Sequence, residues 1–530
     1  MRSMLMRYVL VILVCEFSFL NLEAQCPKRP DAGTVVQDAL SVSSVNGVLN
    51  TELTMKHSVD DSGYTHYCFN YATSKGEVES PTLRLNQGDR LLLDVKDRIE
   101  TDDSAGMMEM PATPGKVCGD GGMMMLSSTN VHFHGLNVPP ICHQDDVLTT
   151  LLQPNDPGFQ FNIQIPKNEP PGLYWYHPHV HGFTEFQVNG GAAGALIVEG
   201  MEKFHPEVAG LKERVFVIRQ QYLVPWVPGP YQLTINYQVA ASPSFPSPII
   251  DMKPNEKQFW RVANATIQDF MPLQVWFNGK PQKLQLIALD GYPLPQSRFE
   301  ETILIPPAGR AEFIVQAPPQ NNEAIFIALG YSTGPTGNPD LEQQLGRIQV
   351  SGGEEEAAET KQETNAAEPA PQASMKSIKF AELEKQKPTT ERKLYFSEEF
   401  GGTNGPIQFY ITVDGQKQKV FEANEKPAIT THVGAVEDWT IENHALETHA
   451  FHIHQIHFKV LEVDGKPVSD QDLRDTIEVP FWEGPGHPYH SFKARFDFRD
   501  PTIAGTFVFH CHILLHEDLG MMHKILVLPK

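Results

Sequence analysis

The sequence predicts an all-β chain of three similar β-sandwich domains, and three observations carry that prediction. A fifteen-residue pattern recurs at Pro81–Val95, Pro248–Val262 and Pro427–Ile441. The 42 prolines and 39 glycines make the 530-residue chain rich in turns. Short β-rich runs also close the first two thirds of the chain, at Gly194–Val198 and Gly346–Val350, and another, Gly505–Phe509, falls in the last.

Each copy of the repeat opens on Pro and has Leu or Ile two positions later. Each turns at mid-length and reaches a β-branched residue fourteen positions on. This reads as one strand–turn–strand hairpin used three times. The domains then span 25–200, 211–350 and 393–530. Residues 351–392 are rich in Glu, Ala, Gln and Pro and poor in aromatics, which predicts a disordered linker.

Residues 1–24 read as a secretory signal: Arg2 and Arg7, a largely apolar run from Tyr8 to Leu20, then Leu22-Glu23-Ala24. A membrane anchor is the alternative, but Glu16 and Ser18 break the run. The expected location is secreted or periplasmic. A net charge of −23 argues against nucleic acid and anionic membranes as partners and suits neutral or cationic ones.

The richest chemistry lies in His510-Cys511-His512-Ile-Leu-Leu-His516-Glu517-Asp-Leu-Gly-Met521. If the preceding strand continues into it, side chains alternate faces. His510 and His512 then point one way and Cys511 the other, so one strand can serve two metal centres. Cys511, His516 and Met521 offer thiolate, imidazole and thioether, the soft donors of a blue-copper site that still needs a second His. Three further clusters hold His132-Phe-His134, His177-Pro-His179 and His449-Ala-Phe-His452-Ile-His454. His449 lies an odd number of positions before His452, on the face where Cys511 points. It is the missing imidazole. Four His-x-His pairs remain, eight imidazoles that suit three copper ions. Buried, hydrogen-bonded core histidines are the plainer alternative for any one of them, and it weakens as the pairs accumulate.

These four motifs, in this order, resemble the multicopper oxidases, the laccase-like three-domain proteins that include the bacterial copper-efflux oxidases. The resemblance implies three cupredoxin-like Greek-key domains and four copper ions, with a trinuclear cluster between the first and last domains. It implies a type 1 copper on His449, Cys511 and His516 with Met521 as axial ligand. A type 2 copper takes His132 and His452. A type 3 pair takes His134, His177, His179, His454, His510 and His512. His181 shares the parity of its neighbours and reads as a hydrogen-bonding group. His143, His457, His487 and His490 fit no motif.

The implied reaction takes single electrons from a small reductant and reduces dioxygen to water. The reductant is a phenol, an aromatic amine or cuprous ion. Carboxylates beside the cluster would supply protons. Glu517 follows the type 1 ligand His516, as in the copper-efflux relatives, and Asp145 and Asp146 stand where the family places an acid. Glu447, two residues before His449, could take a proton from a phenol or attract a cation. A solvated turn or loop is the alternative for each of these acids. Met107, Met108, Met110, Met123, Met124 and Met125 could collect cuprous ion. Packing over neighbouring surface is the favoured reading, because the efflux oxidases carry their Met-rich insert in the last domain. A non-catalytic copper scaffold or store, and a two-domain copper nitrite reductase, are the competing classes.

Six cysteines divide accordingly. Cys15 falls in the signal and Cys511 in the metal motif, leaving Cys26, Cys68, Cys118 and Cys142. The favoured pairing is Cys26–Cys68 and Cys118–Cys142, the second closing a loop across the first His motif. The count alone leaves connectivity open, and free buried thiols are the alternative.

Overall fold

The computed structural model describes residues 25–59, 63, 65–100, 118, 124–154, 156–221, 232–320, 323–351, 373–401, 407–469 and 472–530. The expected signal sequence, Met107, Met108, Met110 and Met123 lie outside them. Among the described residues strands dominate and pair into six sheets, two in each third of the chain.

In the first third, Leu53, Phe69 and Leu93 of one sheet share a core with Leu83, Tyr176 and Leu196 of the other. In the middle third, Phe216, Trp260 and Phe313 face Ile250, Val275 and Phe326. In the last, Phe396, Trp439 and Phe496 face Phe451, Phe507 and Ile525. Alternating apolar residues from both inner faces fill each space, so the fold is three cupredoxin-like sandwiches.

The repeat differs from the predicted hairpin. Its two halves never pair with each other. Thr82–Leu85 lies in one sheet and Arg90–Arg98 in the facing one. Ile249–Met252 and Lys257–Ala265 divide likewise, as do Ile429–His432 and Ala435–Asn443. The unit is a corner that carries the chain across the core. Both arms point their apolar residues at the same interior, so period-two alternation cannot tell a corner from a hairpin. After each corner the second arm pairs parallel with the first long strand of its sandwich: Val48–Val59, Lys212–Gln221 or Thr390–Phe400.

The predicted linker is also shorter than 351–392. From Ala373 onward the chain packs, burying Ile378, Phe380 and Leu383 in the last core. Lys379 is buried too, donating to the Asn137 carbonyl at 2.7 Å and pairing with Asp500 at 2.9 Å. A few apolar anchors in a Lys- and Glu-rich stretch escape an average over composition. Residues 352–372 lie outside the described residues.

Cys26–Cys68 and Cys118–Cys142 are disulfides, and Cys511 is free and buried. Among the described residues no helix is long and apolar enough to cross a membrane.

Candidate copper centres

The strand Gly505–Cys511 carries the motif and pairs antiparallel with His449–Ile453, setting His452 opposite His510 and Phe451 opposite Cys511. In the first sandwich His132–His134 pairs with Gly172–His177, setting His132 opposite His177. Strand alternation sends the Cys511 and His510 side chains to opposite faces of Gly505–Cys511, and a buried pocket of candidate ligands lies on each.

One pocket lies wholly in the last sandwich. Cys511 Sγ is 3.6 Å from His449 Nδ1 and 3.8 Å from His516 Nδ1, and the two nitrogens are 3.3 Å apart. Met521 is fully buried, and its main chain binds both ends of the loop, donating to the His516 carbonyl and accepting from Cys511 N–H. Burial pushes the Cys511 thiol well above its ordinary range. A thiolate there calls for a compensating cation.

The other pocket lies between the first and last sandwiches. His132 stacks on His454 with ring centroids 3.8 Å apart, and His134 on His452 at 4.0 Å. His510 Nε2 lies 3.4 Å from His179 Nε2 and 3.2 Å from His454 Nε2. His177 and His512 complete the ring set, 5.7 Å apart. Burial, then neighbouring imidazoles, holds His134, His179, His452, His454 and His512 well below the ordinary histidine range. His177 and His516 are lowered for the same reasons, and His510 falls to about 3. Neutral imidazoles keep a lone pair.

The donors fit metal ions. Outer ring nitrogens meet oxygen acceptors: His132 Nδ1 on Asp145 at 3.0 Å, His177 Nδ1 on the Pro178 carbonyl at 2.8 Å, and His510 Nδ1 on the Cys511 carbonyl at 2.9 Å. Their inner partners, including His132 Nε2, His177 Nε2 and His452 Nε2, are buried with no hydrogen-bond partner. Unpartnered buried nitrogens are costly unless a ligand takes them. His179, His454 and His510 form one group of metal-ligand spacing, and His449, Cys511 and His516 another.

The predicted acids separate. Glu517 is fully buried, 3.5 Å from His179 Nε2, 3.4 Å from His510 Nδ1 and 3.2 Å from Thr184 Oγ1. Burial, then Asp518, raises its carboxyl well above the ordinary range. Asp145 also accepts from Phe133 N–H at 3.0 Å and Gln455 Nε2 at 2.6 Å, joining both sandwiches. Asp146 is not brought to the cluster. Its oxygens accept from Leu148 N–H, Thr149 N–H and Thr149 Oγ1, capping a turn. Glu447 Oε2 is 3.6 Å from His516 Nε2, and burial beside Glu398 pushes its carboxyl up to about 9.

Glu398 itself was not foreseen. Its Oε1 lies 3.4 Å from His449 Nε2. The available signal was parity, since Glu398 follows Leu394 and Phe396 on the inward side of its strand. Among the remaining histidines, His181 packs edge-on against Phe421, and His143 stacks on Phe159. His457 is buried against the Asp290 carbonyl at 2.7 Å, and His490 bridges Asp464 and Glu483. Met124 packs with Leu151, Val180 and Phe183.

The multicopper oxidase family matches at residues 124–203, 211–353 and 400–530. The chain belongs to that family. It is 24% identical to the multicopper oxidase mco of Staphylococcus epidermidis over 503 residues, 88% of this chain and 90% of that one. It is 23% identical to a laccase of Bacillus subtilis, over 75% of this chain and 79% of that one. Among solved structures, a Campylobacter jejuni multicopper oxidase described as a metallo-oxidase covers 95% of this chain and 96% of its own, with a TM-score of 0.68 at 20% identity. McoA of Aquifex aeolicus covers 94% and 99%, with a TM-score of 0.67 at 17% identity. At these identities the solved structures speak for the fold. This multicopper oxidase is therefore a copper-dependent oxidoreductase that uses oxygen and a reductant.

Proposed function

We propose that this oxidase takes single electrons from phenols or aromatic amines at the cysteine pocket and uses four of them to reduce dioxygen to two waters in the eight-imidazole pocket. One observation carries the reading: the strand Gly505–Cys511 sends Cys511 into one pocket and His510 into the other, where His512, one residue past its end, joins it. When bound, a type 1 copper and a trinuclear cluster of one type 2 and two type 3 ions would supply the one-electron relay and dioxygen reduction. His449, Cys511, His516 and Met521 would hold the first. His132 and His452 would hold the type 2 ion, and the other six imidazoles the type 3 pair. Cys511 and its two neighbours give a covalent route between the pockets.

The chain handles the protons. Four electrons and one dioxygen need four protons to leave as two waters. Glu517, with its carboxyl raised and its oxygens facing His179 and His510, is poised to hold a proton beside the reacting space. Asp145 orients His132 by accepting its Nδ1–H. At the entry pocket, Glu398 and Glu447 flank the outer nitrogens of the two ligand imidazoles. An acidic pair beside the ligand rings would attract a cation, which supports a second reading, cuprous ion as reductant. The secretory-type leader and the two disulfides support export to an oxidising compartment.

The test is steady-state oxidation of a phenol, an aromatic diamine and cuprous ion by the copper-loaded protein, with dioxygen uptake recorded. Four donor equivalents per dioxygen are expected. Copper binding without dioxygen uptake would instead make the protein a store or scaffold.

A further inference from the structure

The middle sandwich holds none of these imidazoles, yet one of its side chains reaches the back of the cluster. We infer that Arg310 is a positioning residue for the eight-imidazole pocket: acting through Asp475, it fixes which ring nitrogen His134 and His452 turn inward. The inference rests on the oxidase reading above.

Arg310 opens the strand Arg310–Gln316 and is fully buried. A guanidinium offers five N–H donors in a rigid fork. Here all five are engaged. Nη1 donates to Asp475 Oδ1 at 2.7 Å and to the Ala308 carbonyl at 3.2 Å. Nη2 donates to Asp475 Oδ2 at 2.6 Å and to the Asp290 carbonyl at 2.8 Å. Nε donates to the Leu173 carbonyl at 3.3 Å. Leu173 belongs to the first sandwich, Ala308 and Asp290 to the middle one and Asp475 to the last, so one side chain ties all three. Its two parallel bonds to Asp475 are a geometry that lysine cannot copy.

The space for this fork is made next to a ligand. Gly135 directly follows His134 and has a φ of +87°. A Cβ there would lie 2.4 Å from Arg310 Nη2 and 2.8 Å from Asp475 Oδ2. The glycine therefore answers to Arg310 as well as to its own backbone.

Asp475 passes the constraint on. Its Oδ1 faces His134 Nε2 at 3.5 Å. Its main-chain carbonyl lies 2.9 Å from His452 Nδ1. Thr476 Oγ1 donates to Asp475 Oδ1 at 2.8 Å, so towards His452 Nδ1, 3.1 Å away, it can only accept. A neutral imidazole has one N–H. His452 keeps its proton on Nδ1 and offers Nε2. At His134 the carboxylate stands 3.5 Å from Nε2 without hydrogen-bonding it, so its negative charge favours a proton on that nitrogen and leaves Nδ1 to be offered. Two stacked rings from different sandwiches thus present opposite nitrogens. His134, His452 and Asp475 lie close enough together to form a group of metal-ligand spacing themselves. The guanidinium instead claims both carboxylate oxygens, keeping Asp475 an acceptor for the rings.

The test compares copper-loaded Arg310→Lys and Asp475→Asn with the unmodified protein by copper content, blue absorbance, the electron paramagnetic resonance signal of the cluster's mononuclear ion, and turnover. Both variants are expected to keep the blue band and to show an altered cluster signal. Turnover should fall about 10- to 100-fold. An unchanged cluster signal and turnover in both would overturn the inference. So would a loss of blue band and cluster signal together with a lower melting temperature, since that marks a purely structural tie. If Arg310→Lys does not fold, Asp475→Asn carries the test alone. An unmodified protein that binds no blue copper would instead overturn the oxidase reading itself.

Discussion

The two pockets share a strand but hold their imidazoles by different means. In the entry pocket the outer nitrogens of His449 and His516 face the side-chain carboxylates Glu398 and Glu447. In the cluster pocket, main-chain carbonyls of Pro178, Asp475 and Cys511 hold three of the rings, and the buried Asp145 holds a fourth. Carbonyls do not titrate or exchange ions. A tautomer fixed by backbone stays fixed while protons pass. Side-chain carboxyls can bind and release protons and cations. The rings of both pockets are buried, but Leu515 and Leu519, which flank His516 in sequence, are exposed. One pocket is flanked by acids that can titrate, while the other is held mainly by groups that cannot.

The largest test of that division is Cys511→Ser. It should abolish the blue band and reduce donor oxidation to background, while copper still fills the other pocket. Absorbance and copper content check this, and a protein still blue would break the comparison. Next is Glu517→Gln. It should slow dioxygen reduction by about 10²-fold or more with the blue band intact. An unchanged rate would remove Glu517 from proton supply. Smaller effects are expected from Glu398→Gln and Glu447→Gln. Each should raise the KM for cuprous ion several-fold while the kcat for a phenol stays within about twofold. Equal changes for both donors would leave the two acids a shaping role only.

The smallest effect concerns the brace behind the entry pocket. A middle-sandwich loop reaches the segment before His449, where Thr448 N–H donates to the Thr333 carbonyl at 2.7 Å. At its end Asp340 pairs with Asp269. Burial, then repulsion from Asp269, pushes Asp340 up to about 9. The folded chain then holds a proton that the unfolded chain releases near pH 4. This stabilisation is complete below that pH and is lost as pH rises towards about 9. Asp340→Asn should therefore raise the melting temperature by a few degrees at pH 9 and leave it unchanged at pH 4. Equal shifts at both values would contradict the shared proton.

Much of this was legible in the residues. Strand parity separated Cys511 from His510 and His512, and the odd offset of His449 placed it with Cys511. The three-sandwich fold followed from a repeat whose spacing was sound although its pairing was not. Alternation reports which way side chains point, and corner and hairpin point them alike. Asp145 and Asp146 could not be told apart, because adjacent acids differ only in where the turn aims them. Arg310 and Asp475 are 165 residues apart, and nothing local marks either as a neighbour of His134. Glu398 offered only its inward parity. Contacts between sandwiches are set by docking surfaces, and no single stretch records them.

Four of the eight cluster rings belong to the first sandwich and four to the last, whereas the cysteine pocket is complete within one. Gentle denaturation should therefore part the oxygen chemistry from the colour. Sandwiches that slide apart would shed three ions and respiration-like activity while the solution stayed blue. Bleaching would come only when the last sandwich itself melts.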